Sequence, residues 1–158
     1  MKKALILLPL ILLSLSSCIN QSYGILPYQQ KNIEAEITVN NEFKIRLIKR
    51  ENITLEIIEP KELDTMSFII EENGILAKNN NIEILLEKES LDGIYALSQI
   101  FSLNESFLTS MEEGQLTFEQ NETHYKLTLG KNDLPDKIII SSNSFYYEIS
   151  IDGIEILS

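Results

Sequence analysis

"IEAEITVNNEFKIRLIKRENITLEIIEP", residues 33–60, alternates apolar and polar side chains almost without interruption. Successive side chains of a β-strand point to opposite faces, so Ile33, Ala35, Ile37 and Val39 share one face against Glu34, Glu36 and Thr38. Asn40-Asn41 supplies a turn, after which Phe43, Ile45 and Leu47 stand opposite Lys44, Arg46 and Ile48. A second turn at Arg50-Glu51-Asn52 leads to Ile53, Leu55 and Ile57 on one face. Strands this close in sequence, joined by such short turns, predict an antiparallel meander with one buried face.

The same pattern continues outward. "MSFIIEE" (66–72) ends at Asn73-Gly74, and "ILAK" (75–78) and "IEILLE" (82–87) are divided by Asn79-Asn80-Asn81. Asn-Gly between apolar runs is a strong hairpin signal, because both residues tolerate positive φ. "QLTFEQ" (115–120), "HYKLTLG" (124–130), "KIIISS" (137–142), "FYYEISI" (145–151) and "GIEILS" (153–158) follow, with turns expected at Asn121-Glu122, at 132–136 and at Asp152-Gly153. About ten or eleven strands result, and parallel crossovers are excluded because one segment alone is long enough for a helix.

That segment is "SLDGIYALSQIFSLNESFLTSMEE", residues 90–113. Leu91, Ile94, Leu97 and Phe101 recur near the 3.6-residue period, predicting a helix over 91–103 with Ser90 as N-cap and Asp92 in the first turn. "ESFLTSMEE" (105–113) reads as a second short helix with Phe107, Leu108 and Met111 inward. The helix is the expected cover for the apolar face of the sheet. Inner-face candidates are Phe43, Ile45, Leu55, Ile57, Phe68, Ile70, Ile84, Leu86, Leu116, Phe118, Leu127 and Ile140 on the strands, with Leu97 and Phe101 on the helix.

The N-terminal region carries a different message. Lys2 and Lys3 precede the apolar run "ALILLPLILLSL" (4–15), and the chain turns small and polar at Ser16 and Ser17 before Cys18, the one cysteine. This is the charged, apolar and small-residue sequence of a secretory signal. Its apolar stretch falls short of the ~20 residues a membrane-spanning helix needs. Leu15-Ser16-Ser17-Cys18 resembles the lipobox of bacterial lipoproteins. That resemblance implies a signal peptide over 1–17, cleavage before Cys18, and a diacylglyceryl group on its sulfur. The competing reading is an ordinary secreted protein cut nearby, with Cys18 left as a free thiol. Residues 18–32 then read as a lipidated tether, in which Tyr23, Ile25, Leu26 and Tyr28 could dock on the body, and 33–158 as one domain.

Without residues 1–17 the chain keeps eleven of its 13 basic residues against 24 acidic ones, a net charge of −13. Such a chain has no electrostatic footprint for nucleic acid and is repelled by anionic headgroups. Membrane attachment must come from acyl chains, of which two hold firmly and one marginally. The expected location is the extracytoplasmic face of the cell membrane, lipid-anchored.

Catalytic chemistry finds no foothold in the pattern. His124 stands alone, no Gly-x-Ser-x-Gly elbow accompanies Ser98, Ser110, Ser141, Ser142 or Ser144, and the acidic clusters at Glu71-Glu72, Glu87–Glu89 and Glu112-Glu113 lack calcium-loop spacing. The sequons at Asn52, Asn104 and Asn121 are what an Asn-rich chain produces by chance. Tyr146 falls on the face opposite Phe145 and Tyr147, as an exposed aromatic or one half of a cross-strand pair. No enzyme, cofactor or metal is expected.

The run "EPKELDTMSFIIEENGILAKNNNIEILLEKESL", residues 59–91, resembles LolA/LolB-like lipoprotein carriers and their Gram-positive-type relatives. The resemblance lies in Pro60 ending a strand, Leu63, the Met66-x-Phe68 strand, the Asn73-Gly74 turn, and a strand pair leading into a helix; Thr65 stands where that family commonly has Gly. It implies a mainly β (α+β) fold, an antiparallel unclosed β-barrel or half-barrel of about ten strands, whose central helical insertion covers a concave apolar face. It also implies that this cleft binds or transfers lipid or an acyl-bearing ligand, such as a lipidated protein. The alternative is a non-enzymatic envelope interaction or structural module with a filled core.

Replacing Cys18 by Ala should release the protein from the membrane fraction or leave it unprocessed, as read by cell fractionation and intact-mass measurement. Wild-type cleavage and membrane retention would overturn the lipidation reading.

Overall fold

The computed structural model describes Tyr28 and residues 30–157. The expected signal segment and Cys18 lie outside the described residues. Eleven strands form one sheet: β1 (Asn32–Val39), β2 (Phe43–Lys49), β3 (Ile53–Glu59), β4 (Met66–Glu71), β5 (Gly74–Asn79), β6 (Ile82–Leu86), β7 (Leu108–Glu112), β8 (Gln115–Gln120), β9 (Thr123–Leu129), β10 (Pro135–Ser141) and β11 (Tyr146–Leu157). The order across the sheet is β6-β5-β4-β3-β2-β1-β11-β10-β9-β8-β7. All neighbours are antiparallel. β6 and β7 remain edges, so the half-barrel is unclosed. The segment joining these edges carries the helix α1 (Asp92–Gln99).

The turns explain why the meander forms. Asn40, Asn41, Asn80, Asn121 and Glu122 all have φ between 50° and 62°. Asn enters this left-handed region more readily than most residues, and paired positive φ matches hairpin turns to the strand twist. Asn40 also ties its turn to β11: its N–H donates to the Glu148 carbonyl at 2.8 Å, and its Oδ1 accepts from the Glu148 N–H at 2.8 Å.

Asp152-Gly153 is a β-bulge inside one strand. Ile37 pairs with Ile151 while Glu36 pairs with Gly153, so Asp152 is the extra residue. The extra residue shifts the side-chain phase by one, and Ile149, Ile151, Ile154 and Ile156 therefore all face the side occupied by Ile33, Ala35, Ile37 and Val39. The Thr38 hydroxyl donates to Asp152 Oδ2 at 2.7 Å and fixes the bulge. The sequence placed a turn at Asp152-Gly153; the strand instead runs on through a bulge, because β1 pairs with both parts of it.

The helical region also departs from expectation. α1 ends at Gln99, where a helix over 91–103 was expected, and residues 100–103 close a turn with Ser102 N–H and Leu103 N–H both on the Gln99 carbonyl. Ser90 lies in a 3₁₀ turn (Lys88–Leu91), and α1 starts after Leu91 without a side-chain cap. The expected second helix is a 3₁₀ turn (Glu105–Phe107) capped by Asn104 Oδ1 on the Ser106 N–H at 2.9 Å, followed by β7. Leu108 and Met111 are paired with Phe118 and Leu116 on β8, and strand pairing outweighs a helical pattern this short. Gly93 lets α1 approach β11, because a Cβ there would collide with the Tyr147 hydroxyl and ring.

One apolar cluster holds the fold together. It takes Ile33, Ala35, Ile37 and Val39 from β1, Leu47 from β2, Leu55 from β3, Leu127 from β9, Ile138 and Ile140 from β10, and Ala96, Leu97, Ile100, Phe101 and Leu103 from α1 and its following turn. Tyr28, within the expected tether, is buried in the same cluster and meets Phe101 edge to face at 5.8 Å. The opposite face is charged. Arg46 lies between Glu36 and Glu56 in register, with contacts of 3.7 and 3.6 Å, and Lys44 meets Glu36 at 2.9 Å. The hydrogen bond from Lys44 holds the Glu36 carboxyl below the usual carboxylate range. This pairing is present above that range and is lost as pH falls through the lowered value. Exposed pairs of this kind add little energy, but they oppose a one-residue slip that would carry the charges inward.

Leu97→Asp, which places a carboxylate in the cluster, should cost several kcal/mol and unfold the domain, whereas Glu56→Ala on the outer face should shift stability by less than about 1 kcal/mol. Thermal melts followed by circular dichroism measure both.

Candidate functional site

Directly opposed residues of paired strands share a face, so the register assigns every strand position to one side of the sheet. The chain of partners Ile84, Ala77, Phe68, Leu55, Leu47 and Ala35 forms one row from β6 to β1. A second row runs from Phe43 and Val39 through Ile149, Ile138, Leu127 and Leu116 to Met111 on β7. All twelve strand candidates from the sequence lie on this inner face: Phe43, Ile45, Leu55, Ile57, Phe68, Ile70, Ile84, Leu86, Leu116, Phe118, Leu127 and Ile140.

They do not share one environment. Along the first row exposure rises from 0 % at Leu47 through 1 % at Leu55 and 8 % at Phe68 to 53 % at Ile84. Ile82, on the same face of β6, is 62 % exposed, and Met111 at the other edge 37 %. Phe43, Ile57, Ile70 and Leu86 are half-buried, whereas Ile45, Leu116, Phe118, Leu127 and Ile140 are buried. Leu97 and Phe101 are buried as well, and α1 touches β3 and β4. Sequence alternation therefore found the face. It did not separate the packed centre from the open border at β6, and it put Ile84 in the same group as Leu127.

One polar group on the buried side, Lys49, escaped the sequence reading, whereas Tyr28 was among the residues expected to dock on the body. Lys49 pairs with Ile33 and so points inward, where its ammonium donates to the Phe101 carbonyl at 2.7 Å. Burial pushes the Lys49 amine below its usual range, and the long aliphatic stem lets an inward lysine end on a carbonyl that the end of a helix leaves free. Tyr28 has a buried hydroxyl without a hydrogen-bond partner among the described residues, and burial raises its pKa. His124 pairs with Glu119 at 3.7 Å between exposed side chains. Tyr146 is 57 % exposed, while Phe145 and Tyr147 stack at 5.2 Å, as their shared face requires.

An apolar border next to a buried centre can receive a flexible apolar chain by non-directional burial. Exposed isoleucines gain nothing from water, and covering them adds roughly 25 cal/mol per Å².

No protein-family model matches this chain, and no curated protein matches it either. The chain is similar in fold to the crystal structure of an uncharacterized conserved protein from Thermus thermophilus, with a TM-score of 0.50 and 11% sequence identity over 84% of this chain and 83% of that one. At that identity the likeness extends to the fold alone.

Two tryptophan variants separate the packed from the open part of the inner face. Ala35→Trp should lower stability severely, by about 3 kcal/mol or more on the scale of ~1–3 kcal/mol for smaller overpacking changes. Ile84→Trp should leave the melting temperature within a few degrees of wild type, since its side chain has open space on the same row. Equal destabilisation of both would mean that the border is already filled.

Proposed function

We propose that this chain is a lipid-anchored bacterial lipoprotein on the extracytoplasmic face of the cell membrane, and that it binds or transfers lipid or acyl-bearing ligands on the inner face of its half-barrel. The observation that carries this reading is the exposure gradient along one row of side chains, from Leu47 at 0 % to Ile84 at 53 %. A ligand laid along β4, β5 and β6 would cover Met66, Ala77, Ile82, Ile84 and Leu86, which the protein leaves half or fully exposed. α1 then acts as the cover of the concave face, anchored by Leu97 below and by the Lys49 bond to Phe101 behind it. The likeness of residues 59–91 to LolA/LolB-like carriers favours the same role. The lipobox at Leu15–Cys18 supplies the anchor, and the acidic chain does not compete with it for anionic headgroups. No catalytic role is assigned.

A second reading, an envelope interaction or structural module, draws on a different observation. The interior around α1 is filled, with Leu97, Ile100, Phe101 and Leu103 each 3 % exposed or less. In that reading the exposed border of β6 meets another protein and no lipid enters.

Fluorescent acyl probes distinguish the two. Ten methylenes at ~0.8 kcal/mol each give about 8 kcal/mol before ordering costs, which corresponds to micromolar binding. The soluble part, residues 19–158, should bind such a probe, carry co-purified lipid in native mass spectrometry, and lose both with Ile82→Glu and Ile84→Glu while its melting temperature holds. A wild-type protein that ignores the probe and carries no lipid would refute acyl binding and leave the interaction module.

A further inference from the structure

A second concavity lies away from the apolar border, where α1 begins and the β8–β9 and β10–β11 turns meet. Its volume is about 420 Å³, within the range of small-molecule sites. The walls come from three places in the chain: Lys88, Asp92 and Tyr95 around α1, Gln120 to Thr123 at one turn with Tyr125 on β9, and Ser142 to Phe145 at the other turn.

Tyr125 makes this concavity more than a surface dent. It is only 2 % exposed, its ring is part of the apolar cluster, and it still lines the pocket. Its hydroxyl has no hydrogen-bond partner among the described residues, so the one polar atom of a buried side chain is left for a ligand or water to satisfy. Burial first and the nearby Tyr95 second raise its pKa, which keeps the hydroxyl neutral and able to donate. The site is also held in shape. Asn121 and Glu122 both sit at positive φ, and the opposite turn is tied by Ser142 N–H to the Phe145 carbonyl and Ser144 N–H to Ser142 Oγ. Stacking on Tyr147 fixes the Phe145 ring.

The lining selects the ligand by charge. Glu89, Asp92 and Glu122 face one lysine, and the Lys88 ammonium already donates to the Glu72 carbonyl at 3.1 Å and lies 5.5 Å from the Tyr95 ring centre. A phosphate or carboxylate would meet three carboxylates and an occupied cation. An organic cation would need an aromatic cage, but the Lys88 ammonium already lies over Tyr95, and Phe145, stacked on Tyr147, has a single face left, enough for the C–H side of a ring but no cage. What remains is a ring of planar amides, carboxylates and hydroxyls, with donors and acceptors side by side and apolar ring surface among them. We propose that this pocket binds an uncharged sugar ring, whose hydroxyls pair with the Tyr125 hydroxyl and with Asn143, Asn121 and Gln120, and whose C–H face lies against Phe145. The proposal stands on this pocket and does not require the acyl reading of the inner face. Two sources supply the chemistry, a free cell-wall type glycan or the sugar headgroup of a glycolipid.

The test uses the full chain in a sugar-free polyoxyethylene detergent, titrated calorimetrically with glucose, N-acetylglucosamine and their disaccharides. A parallel arm measures its co-sedimentation with vesicles containing diglucosyl diacylglycerol and with vesicles of phosphatidylglycerol alone. Saturable binding of a free sugar supports the site with a soluble glycan as source, and preference for the glycolipid vesicles alone supports it with a headgroup as source. In either case Tyr125→Phe, which removes one unpaired hydroxyl and keeps the ring, and Asn143→Ala should each weaken binding about tenfold, while Glu56→Ala on the outer face should leave it unchanged. No binding in either arm, binding of choline or inorganic phosphate in place of sugar, or sugar binding indifferent to Tyr125→Phe would overturn the proposal. Failure of acyl binding is read separately, by the fluorescent acyl probe, which contains no sugar.

Discussion

The ladder between β1 and β11 is the constraint on which the rest of the sheet depends. β1 through β6 form one run of hairpins and β7 through β11 another, each built by neighbours in sequence. Only the pairing from Ile33 with Ile156 to Val39 with Ile149 unites them. That pairing is between distant parts of the chain, so it carries a loop-closure entropy that local hairpins do not. Burial offsets it: the inner side of β1 is four residues, Ile33, Ala35, Ile37 and Val39, none more than 3 % exposed. The bulge at Asp152 is what allows both ends of β11 to offer isoleucine to the inner face, where Ile154 is half-buried and Ile156, at the strand end, is 46 % exposed.

With its centre fixed in this way, the sheet has its freedom at the opposite seam. β6 and β7 do not pair, because residues 87–107 between them fold as two 3₁₀ turns, α1 and a return turn. α1 and the residues after it send Leu97, Ile100, Phe101 and Leu103 into the cluster, and the Lys49 ammonium holds the Phe101 carbonyl. These side chains satisfy the middle of the inner face. They do not reach the β6 border, where Ile82 and Ile84 stay in contact with water. An exposed apolar border beside a free strand edge is a liability in a monomer, and a ligand or partner that covers it resolves the liability.

The two proposed sites use different physics on one scaffold. The border of β6 offers area without directed polar groups, which suits chains that vary in length and position. The pocket at the other site offers fixed amides and a buried hydroxyl, where one missing hydrogen bond changes affinity markedly. The hairpin turns that build the pocket are the same turns that the Asn-rich sequence uses to reverse its strands. The outer face is laced with Lys44, Arg46, Glu36 and Glu56 over β1 to β3, and its own row through Ile48, Ile69 and Leu76 ends on β6 at Leu85, 55 % exposed.

The sequence by itself determined what depends on near neighbours. Period-two alternation set the strands and put all twelve proposed inner residues on one face, since side-chain direction in a strand is local geometry. Asn-rich turns set the antiparallel connections for the same reason. Tertiary structure decided everything that depends on who lies across the interior. It turned the helical reading of residues 105–113 into a 3₁₀ turn followed by β7, because pairing with β8 outweighs a short helical pattern, and joined "FYYEISI" and "GIEILS" through a bulge because β1 runs alongside both. It also decided that Leu127 is buried and Ile84 open. Both are apolar residues in alternating strands and are indistinguishable in one dimension; the difference is that Leu127 joins the cluster that α1 and its return turn enter, whereas Ile84 lies on the edge strand β6 outside it.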